Sequence, residues 1–294
     1  MKTAALKGES GRRSDAAQHR SDDPRVPNVS APIVRWFTQY SRRYIRRHFH
    51  SVRVLASNLP SPALAKDGNG SDRPIVVFSN HASWWDPLVC LVAIQHYFPD
   101  RTIFAPMDEA MLSKYAFFRR LGFFGVAPRS ARGALQFVRT AEAILASPST
   151  LLVITPQGRF ADARERPVRF ESGIAHLAAR LPNVLFIPCA AEYVFWDERL
   201  PEILLNFGKP VEVSHVQFAA DNRRAVSPDQ WKTLLEEKLC LAQDELATES
   251  AERNPAKWKV LLRGGAGQGG VYDWWRGLRA RIAGEQFRRE HGNK

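Results

Sequence analysis

The chain has 294 residues, of which 45% are hydrophobic, so it can bury a sizeable core in one large domain. It carries 42 Lys and Arg against 30 Asp and Glu, and this net charge of +12 favours a polyanionic partner, either nucleic acid or an anionic membrane. The three cysteines, Cys90, Cys189 and Cys240, lie far apart and match the spacing of neither a zinc site nor a disulfide framework, so we expect a reducing compartment.

The first 28 residues are polar and charged. They contain no apolar core of the kind that a signal peptide needs, and the sequence has no run of about 18 apolar residues. We therefore expect a disordered tail at residues 1–28, no transmembrane helix, and a cytoplasmic protein.

Residues 29–57 are predicted to form a basic amphipathic helix that associates with a membrane. Aromatic and apolar residues recur there at three- and four-residue spacing, and arginines fill most of the other side. The first set is Ile33, Trp36, Phe37, Tyr40 and Tyr44. The arginines are Arg35, Arg42, Arg43, Arg46 and Arg47. Two interpretations stay open. The helix packs on the domain surface, or it associates with the headgroup layer of an anionic membrane, and both hold if only part of its face packs on protein.

Strands and helices alternate over residues 70–250, the predicted catalytic domain. The predicted strands are Pro74–Phe78, Thr102–Ala105, Leu121–Ala127, Leu151–Ile154, Val184–Pro188, Ala190–Trp196 and Ile203–Val213. The predicted helices are Leu88–Ile94, Asp108–Arg120, Ala131–Ala146, Ser172–Arg180 and Pro228–Glu249. Because several strands are apolar on both faces, we predict an α/β fold in which helices cover a mostly parallel central sheet.

Residues 251–294 are predicted as a C-terminal appendage. The glycine run Gly264–Gly270 lacks the Gly-Lys-Ser/Thr ending of a phosphate loop and is interpreted as a flexible linker. Tyr272–Arg289 then places Trp275, Leu278 and Ile282 at helical spacing among arginines, which predicts a second basic helix for the same membrane or for the domain.

One histidine stands between a predicted buried strand and a predicted helix, in the segment Asn80-His81-Ala82-Ser83-Trp84-Trp85-Asp86. Asp86 suits the N-cap of that helix. A histidine oriented by a carboxylate is a general base, because the carboxylate selects the tautomer and stabilises the imidazolium. Ser79 and Ser83 flank His81, but neither lies in a Gly-x-Ser-x-Gly elbow, so we expect the base to activate a hydroxyl of the substrate.

Three further motifs follow or end predicted strands: Arg129, the segment Pro156-Gln157-Gly158-Arg159, and Pro188. Because the carboxyl ends of parallel strands gather ligands at one edge of a sheet, we expect these motifs to meet His81 there. The order and spacing of the four motifs resemble the lysophospholipid acyltransferases, the PlsC-like family that includes the 1-acylglycerol-3-phosphate acyltransferases. The resemblance covers about Pro74–Val213.

This resemblance implies transfer of a fatty acyl group from an acyl-CoA or acyl carrier protein thioester to a hydroxyl of a lysophospholipid-type acceptor, without a metal or a further cofactor. His81 would take the hydroxyl proton while Asp86 holds the ring, and the oxygen would attack the thioester directly, without an acyl-enzyme. Backbone amides near Gly158 would stabilise the oxyanion.

The resemblance also implies substrate-binding roles, with arginines of the second and third motifs holding the acceptor's phosphate. The residues concerned are Asn80, Arg129, Gln157, Gly158 and Arg159. Two positions depart from the family: Gln157 replaces a glutamate, and Arg159-Phe160 replaces Thr-Arg, which moves the arginine by one position. The acceptor therefore stays open between a lysophospholipid and a glycolipid or glycosylated carotenoid or other terpenoid.

A non-catalytic protein that binds a membrane or nucleic acid is the alternative from another class. The arginines cluster on two amphipathic segments that also carry Trp, Tyr and Phe, a pattern that favours membranes over nucleic acid. We therefore expect a peripheral protein on the inner face of the cell membrane, whose partners are anionic lipid, acyl-CoA or acyl carrier protein, and the lipid acceptor, with no nucleic acid.

Overall fold

The structure, a computed structural model, describes residues 26–67, 69–213 and 226–266, together with residue 279. The predicted disordered tail lies outside the described residues except for positions 26–28. The predicted basic helix at 272–289 lies outside them except for position 279.

Six α-helices and nine strands occur in the described part of the chain. The helices are α1 (Ala31–His48), α2 (Asp86–Tyr97), α3 (Glu109–Lys114), α4 (Ala131–Leu145), α5 (Gly173–Arg180) and α6 (Pro228–Glu252). The strands are β1 (Ser51–Leu55), β2 (Ile75–Ser79), β3 (Thr102–Asp108), β4 (Phe123–Val126), β5 (Thr150–Ile154), β6 (Leu185–Val194), β7 (Glu202–Phe207), β8 (Val211–Glu212) and β9 (Trp258–Arg263).

All nine strands form one sheet in the order β4-β3-β5-β2-β6-β7-β1-β9, with β8 paired to β6. The five strands from β4 to β6 run parallel to one another, and β7 is parallel to β1. The antiparallel pairs are β6 with β7, β6 with β8, and β1 with β9. The predicted α/β class with a mostly parallel sheet covered by helices is confirmed.

Strand β2 lies at the centre of the sheet and is buried on both faces. Val76 and Phe78 face a core that also contains side chains of α4, α5 and α6. Ile75 and Val77 face the opposite core, formed with α1 and α2. Burial on both faces explains why this strand is a continuous apolar run without alternation.

Helix α1 packs on the domain through a different stripe from the aromatic one. Its buried residues include Val34 and Ile45, with hydroxyl side chains between them that bond to carbonyls one turn earlier. Trp36, Tyr40 and Tyr44 remain exposed, and their rings stack in a row along the helix. Only a narrow stripe of the helix therefore packs on protein, while the aromatic stripe faces outward.

The predicted boundaries at both ends of the domain need correction. Helix α1 ends at His48 instead of continuing to residue 57, because Ser51–Leu55 is a strand that pairs with β7 and β9. Within the predicted appendage 251–294, Trp258–Arg263 is also a strand of this sheet. Gly264 donates to the His50 carbonyl at 2.7 Å, so the start of the glycine run is held against the domain instead of being a free linker.

Three predicted elements inside the domain are divided differently. Val184–Pro188 and Ala190–Trp196, predicted as two strands, form the single strand β6. Ile203–Val213, predicted as one strand, forms the two strands β7 and β8. The helix predicted over Asp108–Arg120 consists of the short α3 followed by a 3₁₀ helix, Ala116–Leu121. None of these changes alters the sheet order around β2.

Candidate active site

The candidate site lies at the carboxyl end of β2, between the ends of its neighbours β5 and β6. The loop that follows β2 carries His81 and leads into α2. The loop that follows β5 carries Gln157 and Phe160 and leads towards α5. Strand β6 is longer than β2 and continues past this edge, so it forms a wall beside both loops.

Asn80 joins the end of β2 to this wall. Its side-chain amide donates to the Ala191 carbonyl at 2.9 Å, and its Oδ1 accepts from the Ala191 N–H at 2.8 Å. The residue is 1% exposed, so both polar ends of its side chain are used inside the protein. Asn80 thus positions the backbone that carries His81. Its side chain does not make the substrate contact that the sequence suggested.

His81 and Asp86 are in direct contact. His81 Nδ1 lies 2.7 Å from Asp86 Oδ2. Because an ionised carboxylate only accepts, Nδ1 carries the proton and donates, which leaves Nε2 as the basic nitrogen. Among the described residues, no protein group hydrogen-bonds to Nε2. The pair therefore has the geometry of an oriented general base.

The Asp86 carboxylate is held by two further donors. Oδ2 also accepts from the Ser83 N–H at 3.0 Å, and Oδ1 accepts from the Tyr193 hydroxyl at 2.5 Å. Burial, reinforced by the charge of Asp86, raises the pKa of Tyr193 well above its usual value, so its hydroxyl stays protonated as a donor. Asp86 occupies the first position of α2, and Trp85 is the N-cap instead of Asp86.

The loop after β5 contacts the backbone of His81. Gln157 is buried, and its Oε1 accepts from the His81 N–H at 3.2 Å. Gly158 has φ = +63°, and a β-carbon there would approach the Glu171 side chain to 3.1 Å, so this turn requires glycine. The Gly158 N–H donates to the Thr155 carbonyl at 3.1 Å, which removes this particular amide from the predicted oxyanion donors.

Phe160 covers one side of the His81 ring. Its ring centroid lies 4.1 Å from that of His81, with 33° between the planes, and Trp84 lies 5.6 Å from Phe160 on the outside. Phe160 is 47% exposed and Trp84 is 77% exposed. The two rings form an apolar platform beside the base and open to solvent.

The predicted phosphate-binding arginines are not gathered around His81. Arg159 turns away and forms an exposed ion pair with Glu165. Arg129 follows β4, which is separated from β2 by β3 and β5, a distance of about 14 Å at the usual spacing of strands. Arg129 has φ = 52°, is exposed, and forms no ion pair with any described residue. It is thus a free cation at the same sheet edge, but remote from the base.

The fourth predicted motif lies behind the site. Pro188 is a buried residue of β6, opposite Phe78 of β2, and its carbonyl accepts from the Gly208 N–H at 2.9 Å. Pro188 therefore supports the sheet behind the active site and does not reach the edge where His81 lies.

The two cysteines near Asp86 have raised thiol pKa values. Burial, with a smaller effect of Asp86, raises the pKa of Cys90 to about 12, and burial raises the pKa of Cys189 well above its usual value. Both therefore remain neutral thiols at neutral pH, whereas the thiolate is the reactive form. In the described ranges, no three His, Cys, Asp or Glu residues are grouped as metal ligands.

Two contributors to the site were missed from the sequence. Tyr193 lies 107 positions after Asp86, and only the pairing of β2 with β6 brings the two together. Phe160 was noted only as a departure from a motif, although its ring packs on His81. Neither contact has a sequence signal, because both depend on the path of a strand or loop from elsewhere in the chain.

Residues 51–192 match the family model described as Acyltransferase. The matched segment runs from β1 to Glu192 in β6 and thus includes the His81–Asp86 pair and the loop after β5. This part of the chain belongs to the acyltransferase family of the PlsC-like 1-acylglycerol-3-phosphate acyltransferases. A search of curated proteins gave no match.

Proposed function

We propose that this protein transfers a fatty acyl group from an acyl-CoA or acyl carrier protein thioester to a hydroxyl of a membrane lipid, with His81 as the general base. The observation that carries the proposal is the 2.7 Å contact between His81 Nδ1 and Asp86, which leaves Nε2 as the basic nitrogen. The acyltransferase family supplies the type of reaction.

In the proposed reaction, Nε2 of His81 takes the proton of the acceptor hydroxyl as its oxygen attacks the thioester carbonyl. The imidazolium formed is stabilised by Asp86, whose carboxylate is already held by Tyr193 and Ser83. Collapse of the tetrahedral intermediate forms the ester and expels the thiolate, which receives the proton from the imidazolium. A base of this kind contributes about 10²–10⁴-fold to the rate.

The oxyanion of the intermediate needs donors that the turn itself does not use. The N–H groups of Gly158 and Ala161 are engaged, the first with Thr155 and the second with the His81 carbonyl. The N–H groups of Arg159 and Phe160 form no backbone hydrogen bond to a described residue. We assign these two amides as the oxyanion donors, because they lie on the exposed turn beside the base.

Two acceptor classes are supported by different observations. A lysophospholipid follows from the family, and Arg129 would then be the cation for its phosphate. A glycolipid or a glycosylated terpenoid is favoured by the ion pair of Arg159 with Glu165 and by the Phe160–Trp84 platform. An exposed aromatic face packs against the C–H groups of an uncharged ring and offers nothing to a phosphate.

We also propose that the reaction takes place at an anionic membrane surface. The aromatic row Trp36, Tyr40 and Tyr44 of α1 continues to Trp85 of the catalytic loop, 5.2 Å from Tyr44. Exposed arginines of the same helix flank the row; they are Arg35, Arg43, Arg46 and Arg47. Interfacial helices combine aromatic residues with basic ones in this way. None of the described helices has the length and hydrophobicity to cross a membrane.

The test is a thiol-release assay with long-chain acyl-CoA, liposomes and candidate acceptors. Wild-type protein should release thiol in an acceptor-dependent manner, and His81→Ala should reduce the rate by at least about 10²-fold. His176→Ala, which changes a histidine of α5, is the matched control and should retain most activity. Equal rates for wild type and His81→Ala with every acceptor would contradict the proposal.

A further inference from the structure

A small cavity lies next to the loop that follows β5, on the side of α6. Its volume is about 180 Å³, and its walls come from the loop after β5, from β6 and from α6. This volume is below the roughly 300–1,000 Å³ of sites for drug-sized ligands, so the cavity suits a single compact chemical group.

Two of the segments that line the cavity are hydrogen-bonded to the segment that carries His81. The Ala161 N–H donates to the His81 carbonyl at 2.9 Å, and Ala163, two residues further on, lines the cavity. Two residues of extended chain span at most about 7 Å. On the other side, the cavity is lined by Ala191, which is hydrogen-bonded to Asn80. Both walls of the cavity are thus tied to the backbone on either side of His81.

Two buried acceptors that line the cavity have no hydrogen-bond partner, although the charge of Glu192 acts on Arg164. They are Oε2 of Glu192 and Oε1 of Gln243, and neither is hydrogen-bonded to any of the described residues. The orientation of the Gln243 amide is determined by its Nε2, which donates to the Ala163 carbonyl at 2.8 Å. Because buried polar atoms are nearly always hydrogen-bonded, this pair of acceptors indicates a ligand that donates hydrogen bonds to them.

The cavity is lined by two arginines and two carboxylates, and this balance of charge decides which kind of hydrogen-bond donor it can hold. Arg164 and Arg166 lie at the wall, but each already bonds to a carboxylate, Asp162 and Asp244 respectively. An anion in the cavity would be repelled by the carboxylates of Glu192 and Asp244. A cation would be repelled by the two guanidinium groups. Uncharged hydroxyl groups donate to Glu192 and Gln243 without either conflict.

We infer that this cavity binds the uncharged, hydroxyl-bearing head group of the acceptor, such as a sugar or another polyol. The Glu192 carboxylate and the Gln243 amide oxygen accept from its hydroxyls and hold the group beside His81. The inference rests on the proposed acyl transfer and deepens it, because it selects a polyol head group over a lysophospholipid phosphate.

The first test measures binding without catalysis. n-Octyl β-D-glucoside below its micelle concentration and n-octyl phosphate are titrated into wild type, Glu192→Leu and Gln243→Leu by calorimetry. Wild type should bind the glucoside more tightly than the phosphate, and Glu192→Leu should weaken glucoside binding about tenfold, as expected for lost hydrogen bonds to a charged group. Equal affinity in wild type and variants, or a preference of wild type for the phosphate, overturns the inference.

Folding is controlled by two matched variants. Glu237→Gln changes an exposed carboxylate on the same helix as Gln243 and should bind the glucoside as wild type does. Gln243→Glu keeps an acceptor at this position but loses the donor to Ala163, so it separates the ligand contact from the support of the loop. Thermal melts of all variants identify any that are unfolded. If Glu192→Leu is unfolded, the milder Glu192→Gln replaces it.

The second test separates this inference from the proposed function. With acyl-CoA as donor, Glu192→Leu should raise the KM for octyl glucoside while the KM for acyl-CoA stays unchanged. Transfer to lysophosphatidic acid alone, unaffected by Glu192→Leu, would retain the proposed function and reject the head-group site. Glucoside binding that depends on Glu192, with no acyl transfer to any acceptor, would retain the site and reject the proposed function.

Discussion

Two loops at the same edge of the sheet differ in how their functional groups are held. In the loop after β2, Asp86 is buried and bonded to His81, Ser83 and Tyr193. In the loop after β5, Arg159 is half exposed, forms its ion pair with Glu165 of the same loop and donates to the Phe160 carbonyl. The carboxylate of Asp86 is thus buried and held by three donors, whereas the guanidinium of Arg159 is held only at the surface.

Under the proposed function, this difference separates the reaction chemistry from the choice of acceptor. A buried carboxylate with three hydrogen bonds cannot be altered without leaving donors unsatisfied, so the general base tolerates little change. An exposed ion pair contributes at most about 1 kcal/mol, so Arg159 can be moved or neutralised at little cost in stability. The departures from the family pattern lie in this second loop.

The largest effect is expected at the buried carboxylate. Asp86→Asn keeps the shape of the side chain but cannot stabilise the imidazolium, so kcat in the thiol-release assay should fall by about 10²-fold or more. Glu165→Gln removes the exposed carboxylate of the other loop and should change kcat by about fivefold at most. Similar losses for the two variants would remove the contrast between the loops.

The hydroxyl that supports this carboxylate should have a smaller effect with a distinct signature. Tyr193→Phe removes one hydrogen bond to Asp86, and kcat should fall about tenfold. With one donor fewer, Asp86 carries more of its charge towards the imidazolium, so the acidic limb of the pH–rate profile should move to higher pH. A purely structural role would lower the rate without moving that limb.

A double exchange in the exposed loop tests the control of acceptor choice. Arg159→Thr with Phe160→Arg restores the order found in the family, and it removes the ring from His81. The ratio of rates for lysophosphatidic acid and octyl glucoside should shift about tenfold towards the phosphate acceptor, as expected for one gained charge-assisted contact. The Glu165→Gln control should shift it less, because it frees Arg159 without moving it. An unchanged ratio would show that this loop does not select the acceptor.

The smallest effect is expected where the exposed aromatic surface continues onto α1. Trp36→Ala with Tyr40→Ala should lower cosedimentation with anionic liposomes by about threefold, and the binding should weaken in salt. Gln39→Ala, an exposed polar residue of the same helix, is the control. Unchanged sedimentation of the aromatic variant would assign the row to another partner.

Much of the fold was accessible from the sequence because β2 and β5 are apolar on both faces, a pattern typical of buried parallel strands. The edge of the sheet was less accessible. β1 and β9 carry Arg53 and Lys259 among their apolar residues, so neither differs clearly from the segments around it. Their pairing with each other joins parts of the chain about 200 residues apart, and no local pattern reports such a contact.

The sequence by itself indicated the contact between His81 and Asp86 and the acyltransferase family. His81 and Asp86 are five positions apart on one loop, and a strand before it with a helix after it is enough to bring them together. Only the tertiary structure decided what surrounds this pair. Tyr193 reaches Asp86, Phe160 covers His81, and Glu192 and Gln243 face one cavity because β6, α6 and the loop after β5 converge there, and such convergence depends on packing across the whole sheet.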